Sequence, residues 1–228
     1  MSTDPPPPSA FHTTSIDAET PLRALAQRRD IPRALMEASD AFLSHGPSPS
    51  LSLLEAAASQ DLPSVLTALL ALDAAVRVDG QWQPIIGWLR EEGGLVLDED
   101  GEIQRLRMAA PIAPRSGDHS SSYREAIADG ALVGVAAGFV LLAKEGPIAS
   151  AHVAICGAAT HPIRARQVEA TLRGRHPSEE LIQLAAETAA QEAQPFGVGT
   201  VLDPTVLLAI RDVTREVLTA SLLEEMEH

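Results

Sequence analysis

The fold of this chain is decided by residues 147–174, which read PIASAHVAICGAATHPIRARQVEATLRG. Apolar side chains alternate with smaller or polar ones from Ala151 to Ile155, and this period of two predicts a strand with one more strongly apolar face. Gly157 is expected to end the strand. Pro162 then predicts the start of a helix, because the first helical turn does not need the N–H that proline lacks.

The predicted helix is one-sided. Ala165, Val168 and Leu172 fall on a single stripe, whereas Arg164 and Glu169 are expected to face away from it. A strand is therefore expected to lead directly into a short amphipathic helix that packs against a core.

Composition limits the classes of function. The chain has 228 residues, of which 45% are apolar, enough for one large or two small domains. With 31 acidic and 17 basic side chains, its formal net charge is −14. This charge repels phosphate backbones and anionic lipids, so neither nucleic acid nor a membrane surface is expected as a partner.

The single cysteine, Cys156, cannot form a disulfide within the chain or build an iron–sulfur or zinc site by itself. The seven histidines show no metal-ligand spacing with a carboxylate, so no metal site is expected. Cys156 is expected to be a buried, inert thiol. The most apolar run, residues 131–143, is shorter than the roughly 20 residues that a membrane-spanning helix needs. A cytoplasmic location is expected.

The remaining pattern predicts a small sheet covered by helices. Residues 1–21 are rich in proline and are expected to form a disordered tail. Helices are predicted over 31–43, begun by Asp30, and over 63–72, begun by Asp61, with another over 51–58. The Asp79-Gly80 pair predicts a hairpin, and a further strand is expected near 103–108. Beyond a loop at 111–122, the pattern predicts strands over 131–143 and 148–156, then three helices, the last two begun at Ser178 and at Asp203-Pro204.

Residues 148–157, together with the His161-Pro162-Ile163-Arg164-Ala165 turn and the Glu169-Ala170-x-Leu172-x-Gly174 helix, carry a resemblance to a known family. They are similar to the C-terminal domain of the flavoprotein (medium) subunit of molybdenum hydroxylases, the family of carbon monoxide dehydrogenase and xanthine dehydrogenase. The resemblance implies an α+β fold. A remnant of a vanillyl-alcohol-oxidase-type FAD-binding second subdomain at 31–114 would precede a C-terminal domain at 118–228.

In that family two subdomains enclose FAD, and the first supplies one glycine-rich pyrophosphate loop. This sequence is expected to lack the first subdomain. The second loop, which in the family has two consecutive glycines, corresponds here to Ser48-Pro49-Ser50-Leu51-Ser52. Because the glycines let backbone N–H groups approach the phosphates, their replacement predicts that the cradle is lost.

Four other positions correspond to family residues beside the flavin: Asp61, Ile103, Gln104 and Arg124. Each also has a simpler interpretation. Asp61 would cap a helix, Ile103 would lie in the core and Gln104 would be solvated. Arg124 replaces a lysine and lacks its compact ammonium group.

The resemblance therefore implies an accessory or structural relative of the oxidoreductase medium subunit, without bound flavin and not catalytic alone. Its partners would be a molybdopterin large subunit and an iron–sulfur small subunit. Three alternatives remain open. One is an active FAD electron-transfer subunit completed by another chain, and another is a free-standing module that binds a small ligand on the same fold. The third is a decayed gene product, which the intact helix caps and apolar stripes of the C-terminal domain disfavour.

Overall fold

The computed structural model describes residues 13–48, 50–78, 80–89, 95, 105–109, 119–143, 146–193 and 202–223. The strands are β1 (Thr13–Asp17), β2 (Ala75–Val78), β3 (Gln81–Pro84), β4 (Arg105–Ala109), β5 (His119–Ala128), β6 (Ala131–Leu141), β7 (Ile148–Cys156) and β8 (Ile163–Arg164). The helices are α1 (Leu22–Ala26), α2 (Arg33–Ser44), α3 (Leu53–Ala58), α4 (Ser64–Ala71), α5 (Arg166–Leu172), α6 (Glu179–Ala193) and α7 (Pro204–Leu222), with a 3₁₀ turn at Ile85–Trp88.

The strands form two antiparallel sheets. The first has the order β1-β4-β2-β3 and the second the order β5-β6-β7-β8. Helices precede and follow the second sheet in the chain rather than alternating with its strands, so the fold class is α+β, as predicted.

The second sheet lies between two layers of helices. On one face Tyr123, Ala136 and Ala154 pack in the same core as α2 and α4. On the other face Val135 and Val153 pack in a second core with α5 and α7, and α6 packs across those two helices. Because both faces are covered, the central strands are apolar on both sides. The predicted division between 31–114 and 118–228 falls on residues outside the described ones and stays a prediction.

Several predicted elements are confirmed. The β2–β3 hairpin, β6 and β7 form at the expected positions, and Gly157 follows β7 with a φ of 90°. Asp203 caps α7 by accepting a hydrogen bond from the Thr205 N–H at 2.7 Å. The three C-terminal helices α5, α6 and α7 are present.

The prediction of a disordered tail over residues 1–21 is wrong for residues 13–21. Residues 13–17 form β1, which pairs with β4 in the first sheet, and Ile16 and Ala18 are buried in the first core. This strand is stabilised by a partner about 90 residues away, which a local composition argument does not detect. Residues 1–12 lie outside the described part of the chain.

Two local boundaries also differ from the prediction. The predicted loop at 111–122 overlaps β5, which begins at His119 and pairs along its length with β6. Pro162 does not begin a helix, because Ile163 and Arg164 first pair with β7 as β8. Helix α5 starts only at Arg166.

Asp30 and Asp61 do not cap helices. Helix α2 has Pro32 at its N-cap and α4 has Pro63, and neither has a side-chain cap hydrogen bond. Asp30 instead accepts two hydrogen bonds from Arg28. The fixed φ of proline can begin a helical turn without a capping side chain.

Arg164 and Glu169 were expected to face away from the core, but both are buried. Their side chains are 6% and 2% exposed and form an ion pair at 2.6 Å. Glu169 also accepts the N–H of Val153, which joins α5 to β7. The N–H of Val153 on the neighbouring strand β7 needs an acceptor, and Glu169 supplies it. Glu169 is therefore buried against β7 together with its partner Arg164.

No helix in the described ranges is long and apolar enough to cross a membrane.

Candidate functional site

The segment Ser48–Ser52, which corresponds to the family's pyrophosphate loop, forms hydrogen bonds within itself. The Ser50 N–H donates to Ser48 Oγ at 3.4 Å, and the Leu51 N–H donates to the Ser48 carbonyl at 3.2 Å. The hydroxyls of Ser48 and Ser50 are 2.8 Å apart. Pro49 lies outside the described residues.

The next residue, Ser52, begins α3 with a capping box. Its N–H donates to the Glu55 carboxylate at 2.7 Å, and its hydroxyl accepts the Glu55 N–H at 3.2 Å. The Leu51 carbonyl accepts the Leu22 N–H at 2.8 Å, and the Leu51 side chain packs against the first core. The C-terminal end of the segment is therefore anchored to α1 through Leu51 and to α3 through Ser52.

These contacts do not fit a diphosphate. A phosphate cradle needs several backbone N–H groups that point outward together. Here the N–H groups of Ser50, Leu51 and Ser52 already have acceptors within the chain. The Glu55 carboxylate also places a negative charge at the N-terminus of α3, where an anionic ligand would otherwise be attracted.

Asp61 lies at the edge of a cavity of about 280 Å³, between the α3–α4 connection and the end of β7. The cavity is also lined by Gln60, His161 and Pro162. It has small apolar walls, among them Ala131 and Ala159. The predicted site residue Asp61 therefore faces residues of the C-terminal part of the chain rather than the Ser48–Ser52 loop.

Arg124 lies elsewhere, on β5, and its charge is neutralised within the chain. Its Nη1 is 2.8 Å from Glu37 of α2 and donates to the Tyr123 carbonyl at 2.7 Å. Glu37 also pairs with Arg33 at 2.8 Å and accepts the Tyr123 N–H at 2.8 Å. Burial alone would raise the pKa of Glu37, but these donors outweigh it and hold the pKa below its ordinary value.

Glu125, a carboxylate on β5, has three hydrogen-bonding partners that come from different elements. Glu125 is 2.7 Å from His45 Nε2 at the end of α2 and accepts the Ser64 hydroxyl of α4 at 2.9 Å. It also accepts the hydroxyl of Tyr123. Burial, followed by nearby Cys156 and Glu125, raises the pKa of Tyr123 well above its ordinary range, so the phenol remains a proton donor.

Cys156 lies beside the Tyr123 hydroxyl, within contact distance of Gly134. A Cβ on Gly134 would lie 2.5 Å from Tyr123 Oη and 2.8 Å from Cys156 Sγ, so the position requires glycine. Burial raises the pKa of Cys156 to about 11. The expected inert thiol therefore agrees with its environment, because a protonated thiol is a poor nucleophile.

The predicted site residues are thus not assembled into one pocket. The loop at 48–52, the Asp61 cavity and the Arg124 ion pair engage different neighbours, and Ile103 and Gln104 lie outside the described residues. Among the described residues, no group of histidines, cysteines and carboxylates could hold a metal ion.

Sequence reasoning missed Glu37, Glu55 and Glu125. Glu55 had a local signal, since Ser52-x-x-Glu55 is the capping-box pattern. Glu37 and Glu125 had none, because each depends on partners that are 61 to 87 residues away in sequence.

Residues 121–201 match the family model of the CO dehydrogenase flavoprotein C-terminal domain. This part of the chain is similar to that domain. Its sheet is β5-β6-β7-β8, and the matched range ends between α6 and α7. The expectation drawn from residues 147–174 is confirmed for this domain.

The fold extends beyond this C-terminal domain. Carbon monoxide dehydrogenase from Hydrogenophaga pseudoflava, in a form lacking the Mo-pyranopterin moiety, superposes with a TM-score of 0.72 at 19% identity. The match covers 92% of this chain and 75% of that chain. The reconstituted CO dehydrogenase from Oligotropha carboxidovorans gives 0.70 at 14% identity over the same fractions.

Quinoline 2-oxidoreductase from Pseudomonas putida 86 gives a TM-score of 0.69 at 17% identity, covering 96% of this chain and 78% of that chain. No curated protein matches the chain in a sequence comparison. The chain is similar to the FAD-binding subunit of molybdenum hydroxylases in its C-terminal domain and in its overall fold.

Proposed function

We propose that this chain is an accessory or structural relative of the medium subunit of a molybdenum hydroxylase and that it binds no flavin. The strongest support comes from the Ser48–Ser52 loop. In this loop the backbone N–H groups of Ser50, Leu51 and Ser52 all donate hydrogen bonds to acceptors within the chain. FAD carries a diphosphate that needs such donors. The Glu55 carboxylate adds repulsion at the same place.

The Arg124–Glu37 pair supports the same proposal. The Nη1 of Arg124 is held by the Glu37 carboxylate and by the Tyr123 carbonyl, so the positive charge is already paired within the chain. Its contacts instead join β5 to α2. Arg124 then has a structural role, which fits a subunit whose function is structural rather than catalytic.

The partners under this proposal are a molybdopterin large subunit and an iron–sulfur small subunit. The structural relatives are a carbon monoxide dehydrogenase and a quinoline oxidoreductase, and the shared fold supports a place in a similar assembly. A chain without flavin would hold the other subunits in position and would pass no electrons itself.

A flavin-binding measurement tests the proposal. The purified chain is incubated with excess FAD and desalted, and its visible spectrum is recorded beside that of the Glu55→Gln variant. We expect no retained flavin band in either protein, because removing one charge does not free the loop N–H groups. A band corresponding to about one FAD per chain in the unaltered protein would refute the flavin-less role.

The assembly is tested separately. The chain is purified under native conditions from its own host, and co-purifying subunits are identified by mass spectrometry together with molybdenum and iron analysis. A stoichiometric molybdenum-containing partner is expected. A chain that purifies alone, without molybdenum or iron, would favour the free-standing module.

A further inference from the structure

A groove runs between the N-terminal half of α6 and the C-terminal half of α7. Its volume is about 620 Å³, and residues from 179 to 187 face residues from 215 to 223 across it, so the two helices are antiparallel there. The buried Ile182 contributes to its floor and the half-buried Leu223 to its end. Leu184 projects from its wall with 45% of its surface exposed.

The rim of the groove is acidic. Glu179, Glu180 and Glu187 line it and are exposed, whereas Arg215 is its only lining cation in the described residues. Arg215 already lies 3.7 Å from Asp212 on the same helix, so its charge is partly neutralised. An apolar floor is therefore bordered by three carboxylates with little compensating positive charge.

This groove is remote from the parts of the chain that correspond to a flavin site. Helices α6 and α7 belong to the layer on one face of the second sheet, whereas α2 and α4 cover the other face. Asp61 lies in the connection that leads into α4, and Arg124 pairs with Glu37 of α2, so both belong to the α2–α4 side of the sheet. The groove can therefore be occupied whether or not the chain binds a flavin.

We propose that the α6–α7 groove is a docking site for a basic, amphipathic helix of a partner protein. An apolar face of such a helix packs against Leu184 and Leu223, above the buried Ile182, as helices do in grooves between two other helices. Its lysine or arginine side chains pair with the glutamates of the rim. A second copy of this chain is a poor occupant, because a net charge of −14 makes two copies repel each other.

The test uses the full chain and a defined probe. The probe is a fluorescent peptide of about 18 residues, roughly five helical turns, made of leucine, lysine and alanine with leucines every three or four positions. A control peptide has glutamate in place of every lysine. Fluorescence anisotropy is expected to show saturable binding of the basic peptide and at least about tenfold weaker binding of the acidic one.

Matched variants locate the binding. Leu184→Ser is expected to raise the Kd at least about tenfold, whereas Leu208→Ser, which changes a leucine on α7 that is 49% exposed and outside the groove, leaves it unchanged. Glu187→Lys is expected to weaken binding, and Glu216→Lys, at an exposed glutamate of α7 outside the lining, serves as its control. Circular dichroism checks that each variant is folded.

Three results would overturn the proposal. The basic peptide fails to bind, both leucine variants bind it equally, or the acidic peptide binds as well as the basic one. Sedimentation of the chain alone provides a further check. A dimer that forms with rising concentration and is lost in Leu184→Ser would assign the groove to a second copy instead.

Discussion

Gly157 occupies a position where both its own backbone and the neighbouring strand exclude a side chain. Its φ is 90°, and a Cβ there would collide with the Leu132 carbonyl oxygen and lie 3.0 Å from Val133 Cα. Gly130 has a similar φ of 76°, but nothing lies within 4 Å of its Cβ position. Replacing either glycine by alanine therefore forces a left-handed backbone conformation on a residue with a side chain. Only at Gly157 does the added methyl group also collide with neighbouring atoms.

We expect Gly157→Ala to lower the free energy of unfolding by about 1–3 kcal/mol more than Gly130→Ala does. Both substitutions carry the cost of about 1–2 kcal/mol for a left-handed alanine, so the difference isolates the contact with the adjacent strand. Urea unfolding monitored by circular dichroism measures both values. Equal losses at the two positions would show that the strand end moves to accommodate a methyl group.

The Arg164–Glu169 ion pair joins three elements inside the molecule. Beyond Glu169, Arg164 donates to the Leu70 carbonyl at 3.3 Å at the end of α4, and it approaches Asp73 at 3.5 Å. Glu169 also pairs with the exposed Arg166 at 3.3 Å. The same carboxylate therefore has one buried partner and one solvated partner.

Glu169→Gln is expected to destabilise the chain by about 3–5 kcal/mol, because the buried Arg164 would keep only the exposed Asp73, 3.5 Å away, as a countercharge. Arg166→Gln, at a side chain that is 64% exposed, is expected to cost less than about 1 kcal/mol. Denaturant titrations of both variants against the unaltered chain make the comparison. If Glu169→Gln cost no more than Arg166→Gln, the buried pair would contribute little.

Helix α2 and strand β5 are joined by Glu37, whose pKa lies below its ordinary value although burial acts to raise it. A glutamate with a depressed pKa in the folded state adds stability above the pKa of the unfolded chain, about 4.3. That stability is lost as the pH falls through the folded-state value. The ionised carboxylate therefore helps to hold these two elements together at neutral pH, and its contribution to stability is lost in acid.

Glu37→Gln is expected to cost about 1.5–3 kcal/mol at pH 7, the usual contribution of hydrogen bonds to a charged group. Its stability should approach that of the unaltered chain as the pH falls through the folded-state pKa of Glu37, which lies below the ordinary value. Asp40→Asn, which changes an exposed carboxylate on the same helix, is the control. Thermal unfolding from pH 3 to 8 measures all three proteins, and a cost independent of pH would contradict the assignment.

Elements with local signals were predictable, and those held by distant partners were not. The α7 start follows from Asp203-Pro204, and β7 follows from alternation between Ala151 and Ile155. Strands β1 and β8 exist only because β4 and β7 supply their hydrogen bonds. The same distinction holds in the candidate site, where Glu37 and Arg124 pair although they are 87 positions apart in sequence.

The two cores of the molecule share one sheet. Tyr123, Ala136 and Ala154 belong to the core built by α2 and α4, although they lie on the strands of the C-terminal domain. Arg164 adds a polar contact from β8 to the end of α4. The division into segments 31–114 and 118–228 remains a prediction made from the sequence. The packing indicates that the C-terminal segment needs the first segment to cover one face of its sheet.

The segment 115–228, produced alone, is expected to be poorly folded because the sheet face that carries Tyr123 and Ala136 loses its cover. We expect it to bind the dye ANS strongly and to lack a cooperative thermal transition. Co-production with the segment 1–114 should restore both properties and yield a complex that purifies together. An isolated C-terminal segment that unfolds cooperatively and binds no dye would show instead that α5, α6 and α7 suffice to stabilise the sheet, and that the α2–α4 layer is an addition the domain can lose.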